Sequence, residues 1–97
     1  MEYEPRPVDL SNIKIDEALK KDLEKIAKNT HETWAKERKL RGWVYGKIYD
    51  EVERKHPCMK EYEDLPELEK DMDRQTVIQT IKMLLWMGYS IEKKDRR

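Results

Sequence analysis

The chain has 97 residues, 43% of them charged, and its 21 Lys and Arg are matched by 21 Asp and Glu. That length supports one domain with a modest core, and the zero formal net charge argues against general affinity for nucleic acid or an anionic membrane surface. Leu, Ile and Val are few, but balanced charge with three Trp, five Tyr and five Met fits a folded, very polar domain better than a disordered one.

Residues 1–12 carry Pro5 and Pro7 and read as an extended arm. Asp16 then suits the N-cap of a long helix running to about Leu40. Leu19, Leu23, Ile26, Ala27, Thr30 and Trp34 recur at helical spacing and mark its inward stripe. Its other faces carry acid-before-base pairs four apart: Asp16–Lys20, Glu17–Lys21, Glu24–Lys28, Glu32–Lys36 and Glu37–Arg41. Each such pair adds roughly 0.2–0.5 kcal/mol to a helix, so most of the charge reads as a solvated helical surface.

Gly42 stops that helix, and Trp43-Val44-Tyr45 before Gly46 reads as a short extended segment. Lys47 to His56 fits a helix or an ordered loop equally, with Pro57 ending either. The acidic run from Glu61 to Asp73 contains Pro66, which suits the start of a short helix whose acids face the positive end of the dipole. Asp73 is the expected cap of a last helix with Val77, Ile78, Ile81, Leu84 and Leu85 inward and Gly88 just past its end. Trp86 continues the polar stripe Gln75, Gln79, Lys82 and is expected to lean toward solvent as a contact surface, the competing reading being a covering loop. The expected fold is mainly α: two long helices packed together with a short helix, an ordered loop and short extended segments. It forms a single domain over residues 1–91, with a frayed charged tail at 92–97.

Chemistry-bearing motifs are scarce. His31-Glu32-Thr33-Trp34-Ala35 misses the zinc-protease pattern because Ala stands where the second His must be. His56 and Cys58 flanking Pro57 are too few to hold a metal, and the acidic run lacks the glycine and ligand spacing of a calcium loop. With three scattered glycines there is no phosphate loop, nucleophile elbow or dinucleotide fingerprint, so a non-enzymatic protein without metal or cofactor is expected. A lone cysteine fits a reducing cytoplasmic setting, the N-terminus does not read as a signal peptide, and no apolar run approaches the roughly 18 residues of a membrane span.

The cluster that stands out is Trp34, Arg38, Arg41, Trp43 and Tyr45. Two indoles, a phenol and two guanidiniums can line a flat cleft with cationic walls, suited to a planar anionic ligand that stacks on rings and is held by Arg forks. Plain packing is the competing reading for Trp34, which lies on the inward stripe.

These same residues carry a family likeness. Tyr3-x-Pro5-x-Pro7-Val8-Asp9-x-Ser11-x-Ile13, Asn29-x-His31-Glu32-x-Trp34-Ala35 and Gly42-Trp43-x-Tyr45-Gly46 resemble the signatures of the ryanodine-receptor repeat domain, or RyR domain. His56-Pro57, Tyr62, Leu65-Pro66-Glu67, Asp73-Arg74-x-Thr76 and Leu85-x-x-Gly88-Tyr89-x-Ile91 follow at the family's spacing. Tyr49, where the family has Arg, and Trp86, where it has a small or aliphatic residue, depart from the pattern.

In the receptors the domain occurs as tandem pairs in the cytosolic part of a calcium-release channel. Single copies are similar to stand-alone proteins of bacteria and phages, and the family also places the domain beside signalling modules. The resemblance therefore implies recognition of a small, nucleotide-like ligand, here by Trp34, Arg38, Arg41, Trp43, Tyr45 and Arg74. It also implies an alternative: a homodimer that rebuilds the tandem pair through Trp86. Asn29 and His31 are expected to serve the fold by hydrogen-bonding the Gly42–Gly46 segment.

Overall fold

The computed structural model describes residues 2–94. Helix α1, Glu17–Leu40, starts where the Asp16 carboxylate accepts the Ala18 N–H at 2.7 Å, satisfying one of the free amides of the first turn. It ends where Gly42 takes a φ of 91°, a left-handed conformation in which an L side chain would be strained. The Trp43 N–H then donates to the Arg38 carbonyl at 3.0 Å, folding the chain back over the last turn of α1.

Strands β1, Val44–Tyr45, and β2, Lys55–His56, pair in parallel, with Val44 opposite Lys55 and Tyr45 opposite His56. The segment between them is therefore an ordered loop and not a helix. Asp50 and Lys55 exchange both backbone hydrogen bonds at 2.9 Å, and Arg54 holds a φ of 56°, rare for a non-glycine residue. The Arg54 guanidinium donates to the Arg41 carbonyl at 2.7 Å, so the loop is tied to the end of α1. Gly46 is required by close approach, since a Cβ there would stand 2.5 Å from that of Lys55.

A 3-10 turn at Tyr62–Asp64 leads into α2, Glu67–Trp86. The expected break at Asp73 does not occur. Pro66 is the N-cap, and the acidic run from Glu67 to Asp73 forms the first two turns of one continuous helix, its earlier acids lying in and before the 3-10 turn. Glu67 and Asp71, which would repel within an isolated helix, both bond the Arg74 guanidinium. At the other end Gly88 adopts a φ of 102°, as a residue just past a helix does.

The two helices pack around Ile15, Ala27, Tyr62, Leu65, Val77 and Ile81, with Leu19, Leu23, Ile78, Leu85 and Cys58 against that group. Ile26 and Leu84, expected inward, are exposed. His31 takes a core position instead, at 3% exposure. Of the five expected ladder pairs on α1, only Glu37–Arg41 forms among the described residues, at 2.9 Å. Glu24 reaches across to α2, and Lys28 pairs with Glu63 of the 3-10 turn at 2.8 Å. Part of the charge seen in the sequence is therefore an inter-element clamp.

The N-terminal arm ends in an Asp9 carboxylate that accepts both the Ser11 N–H and its hydroxyl. Leu10 is buried, and Pro7, Val8 and Leu10 form a groove with Gln79, Thr80, Met83 and Leu84 of α2. Near the C-terminus Lys93 pairs with Asp22 of α1 at 3.2 Å, while tail residues 95–97 lie outside the described residues. No helix among those residues is long and apolar enough to cross a membrane.

Candidate functional site

The last three turns of α1 present His31, Trp34 and Arg38 at spacings of three and four, which puts them on one face. The Gly42 turn returns Trp43 to that face. The Arg38 guanidinium then lies over two indoles, 5.4 Å from the Trp34 centroid and 4.9 Å from that of Trp43. The loop adds two more rings. Tyr49 stacks on Trp43 at 5.7 Å, and His56 sets its edge against Trp34 at 4.9 Å and Tyr49 at 5.5 Å.

Three of the residues expected from the sequence thus converge: Trp34, Arg38 and Trp43. The other three lie elsewhere. Arg41 points out along α1 to Glu37 and is well exposed. Tyr45 is half exposed under the Lys60 ammonium, 5.7 Å from its ring. Arg74 is enclosed by carboxylates, bonding Glu24 at 2.7 Å through two nitrogens, Glu67 at 3.0 Å and Asp71 at 2.6 Å. That network holds the Glu24 carboxyl down at about 2, chiefly through its hydrogen bonds to Arg74. The buried Tyr62 hydroxyl also donates to Glu24, at 3.0 Å.

Tyr49 and His56 are the members that sequence reasoning did not place in the cluster. Both were singled out, one as a departure from the family pattern and one within a motif, but their meeting depends on a loop closure that spacing cannot show. Trp86 lies apart, 52% exposed at the end of α2.

Beside this cluster a cleft of about 230 Å³ opens between α1, the loop and α2. Helix α1 contributes His31 and Trp34, the end of β2 and the residues just after it His56 and Cys58, and α2 Glu69, Met72 and Asp73, with Leu65 from the preceding turn. Its walls are not cationic as expected, because α2 turns an acidic face into it.

The two imidazoles are fixed by backbone. His31 Nε2 donates to the Lys60 carbonyl at 2.7 Å, and not to the Gly42–Gly46 segment, while Asn29 is exposed. His56 Nδ1 accepts the Cys58 N–H at 3.0 Å, which leaves the proton of the neutral ring on Nε2. Burial, and then the Arg38 charge, lower the His56 pKa and favour that neutral ring. Burial raises the Asp73 carboxyl, and burial together with the Glu69 carboxylate raises the Cys58 thiol. A thiol held up in this way is not a thiolate nucleophile. No three His, Cys, Asp or Glu side chains among the described residues are arranged to hold a metal ion.

A mainly α fold of two helices, with a two-strand sheet pinned to the end of the first, thus presents Arg-stacked indoles beside a small acidic cleft. The RyR domain family model matches residues 3–93, nearly the whole chain. The protein belongs to the RyR domain family.

Proposed function

We propose that this RyR domain is a non-enzymatic recognition module. In this reading the Trp34 cleft and the Arg38 guanidinium beside it bind a small planar ligand carrying an anionic group, a nucleotide-like molecule. Arg38 is the observation that carries the reading. Two indoles hold its guanidinium, while no carboxylate pairs with it among the described residues. Its planar fork of N–H donors matches a phosphate or carboxylate, and the stacked rings fix its orientation in advance. Trp34 is only partly buried and lines the cleft, so it offers ring surface to a heterocycle. At about 230 Å³ the cleft is below the usual 300–1,000 Å³ of a drug-sized site, which suits the ring of a ligand and leaves its anionic group at the mouth. A cytoplasmic setting with Cys58 as a free thiol belongs to the same reading.

Thermal melting with nucleoside monophosphates at millimolar concentration tests it. A ligand at 100 Kd adds about 2.7 kcal/mol to stability, a readily visible rise in Tm. Binding is expected for the wild type and at least about tenfold weaker for Arg38→Gln, which loses a charge-assisted contact. An unchanged Tm with every nucleotide would overturn the reading.

A second reading rests on a different observation. Trp86, Met87 and Tyr89 are 52%, 56% and 61% exposed within four residues, an apolar patch of the kind that marks contact surfaces. It supports a homodimer formed through Trp86. Sedimentation of the wild type and of Trp86→Lys checks it: a dimer that the substitution dissolves supports the reading, and a monomer in both at tens of micromolar ends it.

A further inference from the structure

Arg38 gives a reason for an anion at the mouth of the cleft, but not for the acidic wall that α2 turns into it. We propose that this wall is a specificity element: Asp73, with Glu69 beside it, accepts hydrogen bonds from an amino group on the ligand's ring and selects amino-substituted heterocycles. The inference rests on the reading of the cleft given above.

Three features of the cleft support it. Every polar group on the α2 side is a carboxylate, which when ionised only accepts, so a ring edge entering there must donate. His31 adds to the same polarity. It is 3% exposed, its Nε2 proton is committed to the Lys60 carbonyl, and its other ring nitrogen has no hydrogen-bond partner among the described residues. In the neutral ring that second nitrogen is an acceptor.

The carboxylates also repel a phosphate, while Arg38 outside the cleft attracts one. The ligand is therefore oriented with its amino edge inward and its anion outward. Trp34, touched by Arg38 and lining the cleft, is the ring surface between these two poles.

A site built to hydrogen-bond a donor rejects an analogue that lacks it, because the site's own group is then left desolvated and unpaired. The probes are adenosine monophosphate and purine riboside monophosphate, which differ only by the exocyclic amino group. Calorimetric titration of the wild type is expected to give about tenfold or more tighter binding of the amino form, as a hydrogen bond to a charged group implies.

Asp73→Leu is expected to bring the ratio close to one, by weakening the amino form far more than purine riboside monophosphate. A generally damaged protein would not show that pattern. If that variant does not fold, Asp73→Asn, which keeps the shape but loses the charge, is expected to reduce the ratio. Equal binding of the two probes by the wild type would overturn the inference and leave the Arg38 reading standing. A wild-type ratio in the folded Asp73 variant would also overturn it. No binding of either probe would overturn both.

Discussion

Two arginines of this chain, Arg38 and Arg74, look alike in sequence and have opposite surroundings. Arg74 projects from α2 into three carboxylates, Glu24 of α1 and Glu67 and Asp71 of its own helix, and every face of its guanidinium that bonds is spent on the fold. Arg38 projects from α1 onto two indoles and meets no carboxylate among the described residues. The first joins the two helices on one side of the molecule, and the second stands beside the cleft with its donors unspent. The contrast teaches that a cation near aromatic residues in sequence is a candidate for recognition only once its acidic neighbours in space are known.

Removing the platform under Arg38 should have the largest effect. Trp43 is 9% exposed and packs against Arg38, Tyr49 and His56, so Trp43→Ala should cost about 3–5 kcal/mol in chemical denaturation. Trp34 is less buried because the cleft takes one side of it, and Trp34→Ala should cost less, about 2–3 kcal/mol. A cost for Trp34 equal to that for Trp43 would mean that the cleft is filled by protein in solution.

The Arg74 side of the comparison is sharpened by acid. Arg74→Leu should destabilise the fold, though only modestly, because the three carboxylates it joins are largely exposed and screened. The Glu24 carboxyl lies near 4.5 when unpaired and at about 2 in the fold, so folding depresses it. Its stabilising contribution is present in full above pH 4.5 and is lost as the pH falls through about 2. Denaturation midpoints measured across that window should fall for the wild type and fall less for Arg74→Leu, and added salt should narrow the difference. The smallest effect on stability is expected from Arg38→Gln, about 0.5–1 kcal/mol for the lost stacking on two rings.

Much of the fold was legible along the chain because its signals are local. Asp16, Gly42 and Gly88 act within a turn of themselves, and each stands where the sequence pattern placed it. The acidic run was harder to read. Its charge suggested a short separate helix, yet the cation that quiets it is Arg74, bridged to Glu24 fifty positions away. His31 was expected to serve the fold, but its partner is the Lys60 carbonyl and not the Gly42–Gly46 segment, a pairing that depends on a chain closure spacing does not show.

The site divides in the same way. Trp34, Arg38 and Trp43 are joined by one helix end and one turn and could be found from spacing. Tyr49 and His56 arrive by the loop closure that the Arg54 side chain pins to Arg41. The acid wall comes from α2, where Glu69 and Asp73 are a helical turn apart but looked like part of a solvated run.

The central claim is that Arg38 holds the anionic group of a planar ligand while Arg74 holds the fold. Titration calorimetry with adenosine monophosphate on the wild type, Arg38→Gln and Arg74→Leu tests it in one series. The account predicts that Arg74→Leu, though less stable, binds as the wild type does, and that Arg38→Gln binds at least about tenfold more weakly. Wild-type affinity in Arg38→Gln, or no binding by the wild type, would contradict it.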